Sequence, residues 1–394
     1  MDALPPRRYL DNAATSFPKP PEMSAAIREY LDELNASAGR GAYREAVRSG
    51  QMLDQCRAAI RKLFNARAED AVIFALNGTD ALNIAIKGLV RDGGHVVTTV
   101  MDHNSVLRPL HALKEQRRIT WTPLHVAPET TLLDPAAVAD AIEPDTSLVA
   151  VNHASNVTGV LQPLAEIAAI CRGRGVPLLV DAAQSAGHVP IDLQATPIDL
   201  LATPGHKGLL GPLGTGVLII RGGVEARMRS VREGGTGSLS ETPIQPDFAP
   251  DKFEAGSHNA LGLTGLLASL RWLLERGIAA QRRHEMELCG CFAELLDDVG
   301  GLRWFGPREA ERRVGVFSVR IEGLEPAELS AILEDQFGIL TRSGLHCAPF
   351  AHREIGTHAS GGATRLSLGA FTTAEDIERA GAALAKIATS LAPA

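Results

Sequence analysis

“VPLLVDAAQSAGH”, residues 176–188, starts as an apolar run without polar alternation and turns polar at Asp181. Such a run is typical of a strand buried on both faces of a parallel sheet. Similar runs occur, separated by helical stretches such as 79–90 and 163–173, at 71–76, 95–100, 147–153, 199–203 and 216–221. This alternation predicts an α/β protein with a mostly parallel sheet between helices.

The pattern changes after about residue 256. A long helical stretch containing “LLASLRWLLERG” is followed by short strands at 314–321 and 363–371, and a last helix opens with the capping box Thr373-Ala-Glu-Asp376. We therefore expect residues 16–256 to form a large domain, and residues 1–15 with 257–394 to form a smaller α+β domain.

Composition narrows the class of protein. The 394 residues carry a formal charge of -7, and their Lys and Arg residues are scattered, which argues against a nucleic-acid partner. Neither a signal peptide near the start nor an apolar run of about 18 residues is present, so we expect a soluble cytoplasmic protein without a membrane partner. The five cysteines have no framework spacing, which favours a reducing compartment. Cys289 and Cys291 would point to different helix faces, so we expect no metal site.

Ligands of such sheets bind outside the carboxyl ends of the strands, so the residues after each run carry most weight. In “TPGHKGLLGPLGTG”, 203–216, Lys207 stands among five glycines, where burial would lower its pKa towards a usable nucleophile. The alternative is an ordinary solvated His-Lys pair. Asp181 emerges from a buried strand and needs a cationic partner, either a structural arginine or a protonated pyridine nitrogen, and Gln184 follows one turn later.

Two further strand ends add polar groups. Asn77-Gly78-Thr79 opens a helix and suits a phosphate, although Thr79 could simply cap the helix. His103 could stack on an aromatic cofactor and move protons, or lie as a polar residue at the surface. A lysine, a carboxylate, a phosphate nest and a histidine together describe a pyridoxal 5'-phosphate (PLP) site.

The sequence resembles the class V aminotransferase superfamily of fold-type I PLP enzymes, and within it the cysteine desulfurase and selenocysteine lyase family. The matching strings run in order from residue 9 to residue 371: “YLDNAATSFPKP”, “NGTDALN”, “DHNSV”, “NHASNVTG”, “VDAAQSAGH”, “GHKGLLGPLGTG”, “FEAGSHN”, “RSGLHC” and “TRLSLGAF”. The resemblance implies a seven-stranded, mostly parallel sheet and a homodimer.

The resemblance also implies roles for individual residues. Lys207 would form the internal aldimine, Asp181 would pair with the pyridinium nitrogen, and His103 would stack on the ring and move protons. Asn156 and Gln184 would address the ring hydroxyl. The implied phosphate contacts are Gly78, Thr79, His206 and, from the partner subunit, Ser257. The implied substrate-binding residues are Asn156, Arg342 and Arg365, the last of which matches the family's binder of the substrate carboxylate.

Cys347, in “RSGLHCAPF”, 342–350, matches the cysteine that takes the sulfur of L-cysteine as a persulfide and leaves alanine. Cys56 and Cys171 fall on apolar helix faces and are expected to be inert. The base that deprotonates Cys347 stays open between His346 and His103, and Arg342 could supply positive charge near the thiol. Cys347 lies 18 positions before Arg365, a short connection that resembles the branch acting with sulfur-acceptor partners or on selenocysteine.

The expected function is PLP-dependent L-cysteine desulfuration with a protein or small thiol as acceptor. The nearest alternatives are a selenocysteine lyase and a cysteine-sulfinate desulfinase. An epimerase or another lyase, a Cys-His hydrolase and a sulfur-relay scaffold are more distant. Three positions depart from the family pattern: Pro204 replaces a phosphate-binding Ser or Thr that Thr203 could substitute, Gly39 stands where one branch has a histidine, and Asp102 replaces a glutamate.

Overall fold

The large sheet has seven strands in the order β2-β8-β7-β6-β5-β3-β4. The computed structural model describes residues 6–38 and 41–391, so Gly39 lies outside the described residues. Only β8 runs against its neighbours, which confirms the predicted mostly parallel sheet. Its strands are β2 Ala71–Ala75, β3 Gly94–Thr99, β4 Ile119–Leu124, β5 Thr146–Asn152, β6 Leu178–Asp181, β7 Leu200–Pro204 and β8 Gly216–Ile220.

Strand β4 is absent from the runs that the apolar pattern identifies. It forms the edge of the sheet beside β3, and most of its residues are partly exposed. Its sequence, “ITWTPL”, alternates with threonines and contains Pro123, which an edge strand tolerates. A strand covered on one side only need not be a continuous apolar run.

Apolar clusters cover both faces of the large sheet. Successive residues of β5 alternate between them, with Val149 and Val151 in one cluster and Leu148 and Ala150 in the other. Helices lie over these faces and over the small sheet: α1 Pro21–Glu29, α2 Arg44–Leu63, α3 Gly78–Leu89, α4 Asn104–Glu115, α5 Pro135–Ala141, α6 Leu164–Arg174, α7 Ala260–Arg276, α8 Ile278–Asp297, α9 Pro326–Phe337, α10 Pro349–Glu354 and α11 Ala374–Leu391. A π-helical turn, Tyr30–Leu34, extends α1.

The small sheet has four antiparallel strands in the order β12-β13-β10-β9. A two-stranded parallel ribbon, β1 with β11, joins the chain start to it. The predicted capping box opens α11, because Thr373 and Asp376 exchange side-chain and backbone hydrogen bonds. The domain limits at residues 15 and 256 stay a prediction. The remaining strands are β1 Arg8–Tyr9, β9 Leu302–Trp304, β10 Val316–Ile321, β11 Ile339–Leu340, β12 Arg342–Gly344 and β13 Ala363–Ser367.

Three consecutive carbonyls after β5 tie the two sheets together. Side chains from the small-sheet half of the chain donate to each in turn. The pairs are Arg365 Nη1 to Asn156 O at 3.2 Å, Ser318 Oγ to Val157 O at 2.6 Å, and Arg313 Nη2 to Thr158 O at 3.4 Å. We call residues 156–158 the carbonyl fastener. It places Asn156 where the small sheet meets the carboxyl ends of the large one.

Candidate active site

A cavity of about 100 Å³ opens at the carboxyl ends of the large-sheet strands. The predicted cofactor residues that line it are Gly78, Thr79, His103, Asn156, Asp181, Gln184, His206 and Lys207. Ser257 lies elsewhere: it is exposed and lines a separate depression with Arg232. The chain therefore brings together every predicted cofactor contact except the one assigned to a partner subunit.

Lys207 lies in the loop after β7, with its amine turned into the cavity. Burial lowers the pKa of this amine to about 8, and the Asp181 carboxylate opposes the shift. The preceding carbonyl, His206 O, accepts hydrogen bonds from Thr15 Oγ1 at 3.1 Å and Lys19 Nζ at 2.8 Å. The first loop of the chain thus holds the lysine's backbone, a contact that sequence reasoning missed.

Asp181 is the last residue of β6, where a buried strand meets the cavity. Its Oδ1 accepts a hydrogen bond from Ala183 N at 2.9 Å, and burial raises the pKa of its carboxyl group. Lys207 opposes this shift, but among the described residues no arginine, lysine or histidine forms a direct ion pair with Asp181. The structure therefore supplies no structural arginine, and a cationic ligand is the direct partner that this buried carboxylate lacks.

Gly78 and Thr79 begin helix α3, where backbone N–H groups have no partner within the helix. Asn77 caps this helix, since its Oδ1 accepts from Asp80 N at 2.9 Å. Thr79 is therefore not the cap, and its hydroxyl instead contacts Ser105 Oγ at 2.7 Å. Gly78 and Thr79 both line the cavity, and within residues 6–38 and 41–391 their backbone N–H groups have no acceptor, which suits an anion site.

Close packing explains the glycine at position 78. A Cβ there would come within 3.0 Å of Pro204 Cδ. Pro204 stands where the family pattern has a hydroxyl, and Thr203 does not supply that hydroxyl to the cavity. The Thr203 side chain is buried, and its hydroxyl donates to Pro204 O at 3.3 Å. Thr203 does not line the cavity. One side-chain contact of the family pattern is therefore missing here.

His103 caps helix α4 with its own ring. Its Nδ1 accepts from Ser105 N at 3.0 Å, so the neutral imidazole carries its proton on Nε2. Burial and, to a smaller extent, nearby Lys207 lower the pKa of His103 to about 3. Asp102 turns away from the cavity and accepts from Thr98 Oγ1 at 2.9 Å, and burial raises its pKa to about 7. Ser105, which sequence reasoning missed, orients both His103 and Thr79.

Cys347 is exposed and lies on the loop that connects β12 to α10. Arg342 Nη2 is 3.6 Å from its Sγ. The loop has unusual backbone: His346 and Cys347 have φ angles of 49° and 58°, in the left-handed region. For non-glycine residues this costs about 1–3 kcal/mol each. The large-sheet half holds it in place, because Asn104 N donates to Cys347 O at 2.8 Å and Asn156 Nδ2 to His346 O at 2.6 Å.

His346 does not face the thiol. Its Nε2 is 3.2 Å from Arg342 O and its Nδ1 is 3.1 Å from His352 Nε2, so both ring nitrogens are engaged away from Cys347. This excludes His346 from the two candidate bases, and the group that contacts the Cys347 sulfur is Arg342.

Arg365 lies on β13 directly opposite Arg342 on β12, and its side chain is only 1% exposed. Its Nη2 donates to Asp11 Oδ1 at 2.8 Å, while its Nε has no partner among the described residues. Burial lowers its pKa and Asp11 opposes that shift. Asp11 belongs to a string that the sequence singled out, “YLDNAATSFPKP”, but its pairing spans 354 positions and is not readable from one chain.

The other cysteines differ from Cys347. Cys56, Cys171 and Cys289 are buried, and burial raises the pKa of each thiol to about 12. Cys291 is exposed, so it and Cys289 do lie on different faces of α8.

Over residues 6–38 and 41–391, no group of three or more His, Cys, Asp or Glu is arranged to hold a metal ion. In the same part of the chain, every helix is too short or too polar to cross a membrane.

Comparison with known proteins agrees with this geometry. A probable cysteine desulfurase of Methanothermobacter thermautotrophicus is 35% identical over 96% of this chain and 94% of its own. The apo structure of a cysteine desulfurase from Thermococcus onnurineus superposes with a TM-score of 0.89 at 31% identity, over 97% and 95% of the two chains. A cysteine desulfurase of Escherichia coli gives 0.86 at 26% identity, over 98% and 95%. The model of the aminotransferase class-V family matches residues 8–380. The chain therefore belongs to the aminotransferase class-V family, as the order of its motifs predicts.

Proposed function

We propose that this protein is a PLP-dependent cysteine desulfurase that converts L-cysteine to L-alanine and carries the sulfur on Cys347. One observation carries the proposal. A lysine with a lowered pKa and a buried carboxylate without a direct ion pair line one cavity, and an exposed thiol lies near the lysine, in contact with Arg342 and within electrostatic range of Arg365. The names of the relatives support the same activity.

The residues of the cavity fit PLP. Among the described residues Asp181 has no direct ion pair, and His206 Nδ1 is buried without a hydrogen-bond partner. Gly78 and Thr79 offer free N–H groups at a helix start, which suits a phosphate. Bound there, PLP supplies an aldehyde that captures amines and a ring that accepts electrons from the substrate.

The side chains then divide the work. Lys207 offers a partly neutral amine to the aldehyde, and Asp181 holds a proton on the ring nitrogen. His103, with its proton on Nε2, would stack on the ring, and Asn156 and Gln184 would address the ring hydroxyl. Arg365 binds the carboxylate of the amino acid through its Nε edge, because its Nη atoms are held by Asp11 and Asn156.

Cys347 receives the sulfur. Its thiol and L-cysteine become a persulfide and L-alanine, so atoms balance without an oxidant. The carbon–sulfur bond of the substrate breaks, a sulfur–sulfur bond forms at Sγ, and the substrate carbon gains the proton. Arg342, 3.6 Å from Sγ, favours the thiolate that attacks. An exposed sulfur can pass to a protein or small-thiol acceptor.

The site is proposed to be completed in a homodimer. Ser257 is exposed and outside the cavity of its own chain, which supports a role at the phosphate of a partner. The unpaired cysteines support a reducing, cytoplasmic location. Analytical ultracentrifugation of the holoenzyme and loss of PLP from Ser257→Ala test the dimer and the contact together.

The test of the activity is turnover of L-cysteine with a reductant, followed by assay of alanine and sulfide. We expect both products in equal amounts. Without reductant, the peptide holding Cys347 should gain the mass of one sulfur atom. Absence of alanine would overturn the proposal. A selenocysteine lyase or sulfinate desulfinase using the same cavity would keep its activity in Cys347→Ala, whereas cysteine desulfuration should be lost.

A further inference from the structure

A buried chain of polar side chains lies behind the Cys347 loop. His346 Nε2 is 3.2 Å from Arg342 O, His346 Nδ1 is 3.1 Å from His352 Nε2, and His352 Nδ1 is 2.7 Å from Thr357 Oγ1. The three residues that contribute side chains are nearly inaccessible to solvent: His346 and Thr357 are each 3% exposed, and His352 is fully buried. None of them lines the cofactor cavity, and nothing in the proposed reaction uses them.

The chemistry of the end groups fixes the direction of every hydrogen bond. The carbonyl of Arg342 can only accept, so His346 Nε2 must carry a proton and donate it. In the neutral ring His346 Nδ1 then accepts from His352 Nε2, and His352 Nδ1 accepts from the Thr357 hydroxyl. We call this the Thr357–His352–His346 chain. With both rings neutral, every ring nitrogen of this chain has a partner.

Burial favours this neutral state. It lowers the pKa of His346 to about 2 and that of His352 to about 4. The charged and titratable groups that act on the two rings contribute to these low pKa values: Arg365, His352 and Arg342 at His346, and His358 and Arg365 at His352. The hydrogen bond to the Arg342 carbonyl opposes the shift at His346. The rings therefore act as hydrogen-bonding spacers over the physiological range, and neither serves as a base for the thiol.

The last acceptor of the chain belongs to the residue that contacts the sulfur. Arg342 carries the guanidinium 3.6 Å from Cys347 Sγ, and its backbone carbonyl is the atom that His346 binds. The same His346 and the adjacent Cys347 have left-handed backbone, which persists only when the surroundings hold it. A side chain that fixes His346 thus fixes both partners of the contact between arginine and sulfur.

We propose that Thr357, His352 and His346 are positioning residues that set the reactivity of Cys347 by holding the Arg342 guanidinium against its sulfur. The proposal rests on the proposed function only in taking Cys347 as the sulfur-accepting group. Thr357 influences the thiol without touching it, through two rings and one carbonyl. Loss of its hydroxyl leaves His352 Nδ1 without a donor and loosens the loop.

Thr357→Val in the holoenzyme tests the chain, because it removes the hydroxyl and keeps the shape. The measurement is the rate of alkylation of Cys347 by iodoacetamide across pH, read by peptide mass analysis, with the exposed Cys291 as internal reference. We expect Cys347 to react roughly tenfold more slowly near neutral pH, because a guanidinium that is no longer held against the sulfur favours the reactive thiolate less. The Cys291 rate should stay unchanged.

Two matched variants separate positioning from general damage. Thr357→Ser keeps the hydroxyl and should restore the wild-type rate. Thr146→Val removes the hydroxyl of another buried His–Thr pair, with His95 Nδ1 at 2.9 Å, and should leave Cys347 unaffected. In turnover with L-cysteine, Thr357→Val should lower kcat and leave KM unchanged, because Arg365 and Lys207 are not disturbed.

Wild-type alkylation of Cys347 in a folded Thr357→Val protein would overturn the proposal, and so would equal slowing in Thr146→Val. If Thr357→Val does not fold, His352→Gln provides the same test, since its amide can donate to His346 but cannot receive from Thr357 in the same geometry. Alkylation needs no turnover. A failure to produce alanine would therefore refute the proposed function and leave this measurement valid.

Discussion

The large-sheet residues that line the cavity, and the group formed by Cys347, Arg342 and Arg365 near it, are held by different means. We call the first the strand-aimed wall and the second, which the small-sheet half of the chain supplies, the small-sheet wall of the proposed active site. Asp181 is the last residue of β6 and Lys207 lies three residues after the end of β7, so their positions follow from the sheet. Cys347 instead lies on a loop of left-handed backbone that is held by side chains from distant positions. Groups aimed by strands are insensitive to single neighbours, whereas a group aimed by a loop depends on each contact. The predictions below test this contrast.

The largest effect is expected on the strand-aimed wall. Lys207→Ala removes the amine that binds the cofactor covalently, and alanine production should fall by roughly 10³-fold or more, the scale for loss of a covalent catalytic group. The visible absorption of the bound cofactor should change at the same time. A variant that retains both absorption and turnover would show that another group holds PLP.

Arg365 belongs to the small-sheet wall and is fixed by two partners. Arg365→Ala should raise KM for L-cysteine by about 10–100-fold, because a hydrogen bond to a charged group contributes about 1.5–3 kcal/mol. Asp11→Asn, which removes only the partner at 2.8 Å, should have a smaller effect of the same kind. Steady-state kinetics decide this. An unchanged KM in Arg365→Ala would remove the arginine from substrate binding.

Uptake of PLP by the apoprotein should depend on pH through Lys207. Its pKa is lowered to about 8, so the neutral amine that reacts with the aldehyde is the minor form below that pH and the major form above it. The rate of uptake should rise roughly fivefold between about pH 7 and 8. Stopped-flow absorbance measures it. His103, with a pKa of about 3, stays neutral throughout and should not contribute.

The smallest expected effect concerns Pro204, where the family pattern has a hydroxyl. Pro204→Ser supplies one hydrogen bond to the phosphate, which contributes about 0.5–1.5 kcal/mol. The dissociation constant of PLP should fall by roughly threefold, measured by fluorescence titration of the apoprotein. Thr203→Val is the matched control and should change nothing, because the Thr203 hydroxyl does not line the cavity. A weaker affinity in Pro204→Ser would mean that the proline itself shapes the site.

The sequence predicts the strand-aimed wall well, for a physical reason. A buried apolar run can be recognised locally, and the residue after it must lie at the carboxyl edge of the sheet. Gly78, Asp181 and Lys207 could therefore be placed together without coordinates. The edge strand β4 escaped, because partial exposure and Pro123 remove the apolar signal.

The small-sheet wall could be predicted only in part. The string around Cys347 identifies the thiol, yet its neighbours come from far along the chain. Asp11 reaches Arg365 across 354 positions, and Asn156 reaches the His346 carbonyl across 190. The sequence also offered His346 as a base, and only its hydrogen bonds show that both nitrogens are occupied. Such pairings depend on tertiary packing and leave no periodic signal.

The carbonyl fastener links substrate binding to the contacts between the two sheets. Arg365 is at once the proposed anchor of the substrate carboxylate and one of the three side chains that join the sheets. A substrate carboxylate bound by this guanidinium would act, through the hydrogen bond from Arg365, on the Asn156 carbonyl. The two following carbonyls accept from Ser318 and Arg313. We therefore expect substrate binding to strengthen the hydrogen bonds that join the two halves of the chain. Amide exchange in β10 should slow when an unreactive amino acid is bound.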